Sequence, residues 1–467
     1  MTSKANDAPA SERVTLPPAM LLVVTVIIMA GVLFGYDQGV ISGALAGIQK
    51  QFGLGSLLTE VVTSWVTLGA LFGSLIGGEL ADRLGRKKAV LCARVLFSLG
   101  AMIQSLAPDT IILVAGRLVI GLGVGVAAVA APLYGAEMAP TAWRGRFVSA
   151  YQLAITIGIF LAYLIDQALA ATDHWRLMLG IAAVPGILLV VAMAMAPESA
   201  RWLVKNGRAD AARRVLCRLE PGSDTAPALA EIESGLRNET RSASWGDVFA
   251  PAWRKPLLVA LGLAVFQQIT GINAIIYYAD EIFARAGFTT PEAQTMATTW
   301  AIGAVNVLAT FIAIAFIDKL GRRPLLLAGL IGMGLSLALV GIAMRADMPG
   351  MVTLCALVVF IISFAFSLGP VVWTVINEIF PGQVRGRAVA VATAVNWGAA
   401  FLVSQFFLTL VGAVGEAGTF GLFALFCVVG GAWIYRNVPE TKGRSLEQIE
   451  TLWEATPGVA TTVRNAT

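Results

Sequence analysis

Long apolar runs alternate with short polar connections along almost the whole chain, and about twelve of the runs suit helices of the ~20 residues needed to cross a bilayer. The first six start near Ala19, Glu60, Ala89, Thr110, Phe147 and Arg176. The last six start near Pro256, Gln294, Pro324, Gly350, Ala388 and Gly418. A polar stretch, 197–255, separates the two groups and contains amphipathic pieces at Ala209–Leu219 and Ala228–Leu236. These pieces predict short helices on a membrane surface, and Ser445–Glu454 predicts another. The pattern divides the chain into a tail (1–18), a six-helix half (19–196), a linker (197–255), a second half (256–437) and a final tail (438–467).

Composition agrees with lipid as the solvent. The chain is 57% hydrophobic and 13% charged, whereas soluble domains carry about 25% charged residues. Forty-eight glycines and nineteen prolines suit membrane helices, where small residues allow close packing and kinks are tolerated. The leading polar residues do not form a cleavable signal peptide. Cys92, Cys217, Cys355 and Cys427 show neither metal-ligand nor disulfide spacing. The single histidine, His174, excludes a histidine proton wire and is assigned no role. A net charge of +4 reads as loop charge, not as a nucleic-acid footprint.

Basic residues set the orientation. Arg83, Arg86, Lys87 and Lys88 follow the second run, Arg144 and Arg146 the fourth, Lys319, Arg322 and Arg323 the eighth, and Arg385 and Arg387 the tenth. The intervening loops hold isolated cations such as Lys50, Arg176, Arg285 and Arg345. Both termini and the linker are therefore expected inside a cytoplasmic membrane. Arg94, one turn into the third run, is expected to snorkel to the surface.

The halves repeat. Ala81–Lys87 (ADRLGRK) resembles Ile317–Arg323 (IDKLGRR). Glu137, Pro140 and Arg144 recur as Glu378, Pro381 and Arg385, and Pro197-Glu198 recurs as Pro439-Glu440, at nearly one offset. This implies two six-helix halves of parallel topology.

Together with Gly35-Tyr36-Asp37, Pro197–Leu203 (PESARWL), Gln267–Asn273 (QQITGIN) and Pro439–Arg444 (PETKGR), these motifs resemble the sugar porter family of the major facilitator superfamily. The resemblance extends from about Gly31 to Glu450. It implies an all-α membrane protein of twelve transmembrane helices in two pseudo-symmetric halves. It further implies a transporter of a monosaccharide, not an enzyme, with no cofactor, working as a monomer in contact with lipid.

A carboxylate within an apolar span is costly unless paired or protonated. Counting inward from the outer ends at the helical rise, Asp37 in the first span lies about 14 Å deep and Arg117 in the fourth about 10 Å deep. The two are close enough in depth to meet. Either they form a static ion pair, or Asp37 is a proton switch whose proton affinity rises when the pair is lost. In related proton symporters the aspartate at this position couples sugar to protons, whereas facilitators often carry a neutral residue there.

Gln267, Gln268 and Asn273 lie in one otherwise apolar span, too widely spread for one face of a regular helix. Unwinding is expected at Thr270-Gly271. Amides offer donors and an acceptor to sugar hydroxyls, although they also serve helix packing. The resemblance adds Gln152, Tyr277, Asn306, Phe364, Trp373 and Asn396-Trp397 to the substrate set, with Phe34 and the apolar liners Ile155 and Ile159. Aromatic faces suit the C–H faces of a pyranose, and Gly369-Pro370 is expected to break the tenth helix beside Trp373. Asn396 with Ile159 resembles hexose-handling members.

Asp82, Arg86, Glu137, Arg144, Glu198, Asp318, Arg322, Glu378, Arg385 and Glu440 lie at inner helix ends. They are expected to act as gating ion pairs between the halves, closing the inner side when the outer side is open. The predicted activity is proton-coupled symport of a hexose. An uncoupled facilitator, a sugar sensor and a drug–proton antiporter are the alternatives. The sensor is disfavoured by short tails, the antiporter by the paired amides and the Pro-Glu-Ser motif. No Gly-x-x-x-x-Gly-Lys loop occurs, so nucleotide does not drive the process directly.

Overall fold

The computed structural model describes residues 17–139, 144–172, 174–222, 224–238, 245–380, 382–442 and 448, without the side chains of 144–148, 238, 315–319 and 382–383. Twelve helices are long and apolar enough to span a membrane. The first six are Pro18–Phe52, Ser56–Leu84, Arg86–Ser105, Thr110–Met138, Ser149–Thr172 and Trp175–Met195. The second six are Pro251–Tyr277, Pro291–Ile314, Arg322–Arg345, Gly350–Glu378, Val384–Gln405 and Phe407–Asn437. Between the groups run helices Ala200–Lys205, Ala209–Leu219 and Ala226–Asn238. The helix expected at Ser445–Glu454 falls outside the described residues, apart from Gln448.

Local chemistry starts and stops these helices. Asp109 caps the fourth span by accepting the Ile112 N–H at 2.9 Å. Thr290 caps the eighth by accepting the Ala293 N–H at 3.2 Å, with Pro291 in the first turn. In the repeated Leu-Gly-Arg sequence, Gly85 (φ 100°) and Gly321 (φ 89°) turn the chain from one span into the next, a conformation that favours glycine.

Spans one and five cross at backbone distance. A Cβ on Gly35 would lie 1.9 Å from the Ile155 carbonyl oxygen, and one on Gly158 would lie 2.1 Å from that of Val32. Small residues at such crossings replace the hydrophobic drive that lipid does not supply.

Three spans depart from regularity. The seventh stops at Ile269 and resumes at Ile272, with Gly271 at φ 95°, as its glycine predicts. It continues past Tyr277 as the short helix Ala279–Arg285. The tenth breaks at Phe366-Ser367, where Ser367 has φ −124° and ψ −94°, and not at Gly369-Pro370 itself. The reason is that Pro370 clashes with the carbonyl four residues earlier, that of Phe366, so the break precedes the proline. The twelfth begins at Phe407 instead of near Gly418, because a kink at Gly415 (φ 74°, ψ 169°) joins two helical pieces across a glycine-rich stretch.

At the end remote from the basic loops, the outer end, hydrogen bonds cross between the halves. Glu60 accepts the Thr409 N–H at 2.6 Å and its hydroxyl at 2.7 Å. The Tyr163 hydroxyl donates to Ile276 O (2.9 Å), that of Tyr278 to Ser404 O (2.9 Å), and that of Ser64 to Gln405 (2.7 Å). The two halves are thus joined at that end.

Candidate functional site

The broken seventh and tenth spans and the eleventh span converge on a cluster of buried amides. Gln267 donates to Leu368 O at 2.6 Å, beside the break in span ten. Asn396 donates to Gln267 Oε1 at 2.7 Å and to Ala264 O at 3.0 Å. Gln268 donates to Asn396 Oδ1 at 3.2 Å, and Asn273 donates to Gln268 Oε1 at 2.8 Å. Unwinding at Thr270-Gly271 is what lets Gln268 and Asn273, five residues apart, face one another. Each amide retains donor or acceptor capacity for a hydroxyl.

Around this cluster, Asn306 is buried in span eight, and Gln152 is half-buried in span five. Phe364 and Trp373, on the two sides of the tenth-span break, are also half-buried. Phe34 of span one meets Trp397 of span eleven edge-to-face, with ring centroids 5.6 Å apart, so this contact crosses the halves. Ile155 and Ile159 are buried where span five packs on span one.

Asp37 and Arg117 do meet. Arg117 Nη1 stands 3.4 Å from Asp37 Oδ1, and both side chains are buried. Arg117 also donates through Nε to Val62 O and through Nη2 to Thr63 O, each at 3.1 Å. The second span therefore holds the guanidinium in place whether or not Asp37 is charged. Tyr277 lies within interaction range of Asp37, Arg117 and the Gln38 amide. It shares the short helix Ile272–Tyr277 with Asn273.

The inner-end charges form two copies of one arrangement. Arg86 Nε lies 3.0 Å from Glu137, and Arg86 Nη1 lies 2.9 Å from Asp82. Glu198 accepts the Lys87 N–H at 3.0 Å. In the second half Arg322 lies 3.0 Å from Glu378, and Glu440 accepts the N–H groups of Arg322 and Arg323 at 3.0 and 3.1 Å. Ser199 donates its hydroxyl to Glu137, as Thr441 does to Glu378. Arg385 donates to Phe380 O at 3.0 Å. The expectation of pairs between halves is corrected for these residues: each described pair lies within one half. The acids sit where the span that follows the Gly-Arg turn begins, so Glu198 and Glu440 cap the third and ninth spans. The side chains of Arg144 and Asp318 lie outside the described residues.

Several polar residues escaped the sequence reading. Arg94 does not snorkel. It is buried in span three, and its Nε and Nη2 have no hydrogen-bond partner. Asp166 and Asp280 are carboxylates in apolar stretches, the same signal that singled out Asp37. Glu60 and Thr409 carried no local signal, because their pairing joins opposite halves.

Known proteins resemble this chain over most of its length. A family model described as "Sugar (and other) transporter" matches residues 23–453. The galactose-proton symporter of Escherichia coli K12 is 40% identical over 428 residues, covering 90% of this chain and 92% of the relative. The glucose transporter GlcP of Staphylococcus epidermidis is 39% identical over 426 residues, covering 90% and 94%. The xylose transporter XylE from E. coli, in a partially occluded inward open conformation, superposes with a TM-score of 0.81 at 29% identity, covering 91% of this chain and 99% of that one. The repeated inner-end motifs, the broken seventh and tenth spans and these matches lead to one conclusion: the chain belongs to the sugar (and other) transporter family, within the major facilitator fold.

Proposed function

We propose that this protein is a proton-coupled symporter that carries a monosaccharide, a hexose, across the cytoplasmic membrane by alternating access of its two halves. The observation that carries the reading is the link between the Asp37–Arg117 pair and the amide cluster. Tyr277 stands beside that pair, on the same six-residue helix as Asn273. A change of charge at Asp37 is therefore felt by the helix that presents a sugar ligand. With Asp37 protonated, the Arg117 pair is lost while Val62 and Thr63 retain the guanidinium. Sugar hydroxyls replace the amide–amide bonds of Gln267, Gln268, Asn273 and Asn396. Trp373 and Phe364 cover a face of the ring, and Gln152, Asn306 and Ile155 close the opposite wall.

In this reading the joined outer end belongs to an inward-facing state, and both termini and the linker lie in the cytoplasm. One chain is the working unit. The names of the relatives, a galactose-proton symporter and a glucose transporter, support the coupling and the hexose.

Uptake of labelled D-glucose into vesicles containing the purified protein tests the proposal. Accumulation above equilibrium under an imposed inward proton gradient, abolished by a protonophore, is expected. Equilibration without accumulation identifies an uncoupled facilitator, and binding without uptake a sensor. Competition by unlabelled D-galactose, D-xylose, L-arabinose and inositol ranks the sugars.

A further inference from the structure

Two further acids meet across the halves at the outer end. Asp166 of span five is 1% exposed. Its Oδ2 accepts the Gly43 N–H at 3.3 Å, and its Oδ1 has no hydrogen-bond partner. Asp280 begins the short helix that continues span seven. Its own N–H donates to Ser42 Oγ at 3.1 Å, and Thr298 donates a hydroxyl to its carboxylate. The adjacent residues Ser42 and Gly43 of span one thus bridge an acid of each half. A Cβ on Gly43 would fall 2.4 Å from Asp166 Cβ, so the approach depends on the absence of a side chain there. The two carboxylates are near enough to repel one another.

The cations nearby are engaged elsewhere. Arg117 binds Val62, Thr63 and Asp37. Arg176 of span six binds Gln51 and Ala107 O. Arg285 is paired with Glu281 and Glu416. Tyr36 and Tyr163 face the acids, but their hydroxyls donate to Met178 O and Ile276 O. Asp37 and Tyr277 add no positive charge, His174 is exposed, and Glu292 of span eight is exposed. Two buried charges of one sign, with an oxygen unpartnered and no cation to spare, cost more than one charge and one shared proton.

We propose that Asp166 and Asp280 form a second proton-binding site, separate from Asp37, that holds the outer end shut. An O–H bond forms on one carboxylate and donates to the other, so the pair falls from two negative charges to one. When the halves part, the proton returns to external water. Low external pH therefore favours the closed outer end, and high pH opens it. This inference does not depend on which sugar, if any, is carried.

Infrared difference spectra between acid and alkaline pH, taken on the full-length protein in lipid vesicles, read the site directly. A C=O band of a buried protonated carboxyl should be present in the parent and in Asp37→Asn, and lost in both Asp166→Asn and Asp280→Asn. Its survival at full intensity in both of the latter overturns the proposal. Distances between spin labels at Gln49 and Gly412, in a background without the exposed cysteines, report the outer end. The open fraction should rise with pH in the parent, lose that dependence in Asp280→Asn and regain it in Asp280→Glu. An unaltered pH profile in Asp280→Asn overturns the gate even if Asp166→Asn does not fold.

Discussion

Arg117 reaches Asp37 through a single nitrogen at 3.4 Å, while its other two donors are fixed on the Val62 and Thr63 carbonyls at 3.1 Å. The pair is long for a charge-assisted hydrogen bond, and the arginine does not need it to stay in place. Separating the two leaves a guanidinium that is still hydrogen-bonded and a carboxyl free to take a proton.

Asp37→Asn keeps the shape and removes the proton cycle. Accumulation of D-glucose driven by a proton gradient should be abolished, while exchange of labelled for unlabelled sugar at equal concentrations continues. Uphill uptake in this variant rules out coupling through Asp37.

Gln268 both donates to Asn396 and accepts from Asn273. Gln268→Ala leaves those partners without it, and Trp373→Ala removes an aromatic face. Each change should weaken D-glucose binding by about 1–3 kcal/mol, the usual cost of unpaired buried polar groups. Calorimetric titration checks this, and unaltered affinity in both variants places the sugar elsewhere.

Glu137 takes two contacts from Arg86 Nε, at 3.0 and 3.1 Å, and a third from the Ser199 hydroxyl. Glu137→Gln should therefore destabilise the first half by about 1–3 kcal/mol. The exposed Arg83–Glu79 pair is a control: Glu79→Gln should leave the thermal midpoint in detergent almost unmoved. Equal midpoints for the two variants would remove the structural role of Glu137.

Glu440 lies outside the spans. Burial raises its proton affinity, but the N–H groups of Lys442, Arg322, Arg323 and Thr441 outweigh that and hold the carboxyl below the ordinary glutamate range. A group depressed in the folded state stabilises it above the unfolded value, about 4.3, and loses that contribution as pH falls through the folded value. The difference in thermal midpoint between the parent and Glu440→Gln should be constant at neutral pH and shrink on acidification below about 4.3. A difference that grows on acidification contradicts the assignment.

Much of the architecture was legible because lipid imposes a length rule on apolar runs, and because the halves repeat the same charged turn. The starts of most spans follow from that alone, as does the unwinding at Gly271. Asp37 was legible as a charge in an apolar run, and Gln267, Gln268 and Asn273 as amides in one. The same rule applied to Asp166 and Asp280 would have flagged them too.

Other features depend on the approach of distant segments. Inner-end acids and bases suggested bridges between halves, yet Glu137 and Glu378 bind arginines of their own half, because each acid-bearing span ends beside the turn that starts the next repeat element. Arg94 looked like a snorkelling side chain, but packing of its helix turns it inward. The break before Pro370 sits at Phe366-Ser367 because the clash acts four residues upstream. The sequence by itself determined that twelve helices cross a membrane and which polar residues must be satisfied inside it. Only the tertiary structure decided their partners: Glu60 with Thr409, Arg117 with Val62 and Thr63, Asp166 with Asp280. Hydrophobic length is a property of one segment, whereas a hydrogen-bond partner is a property of two segments brought together.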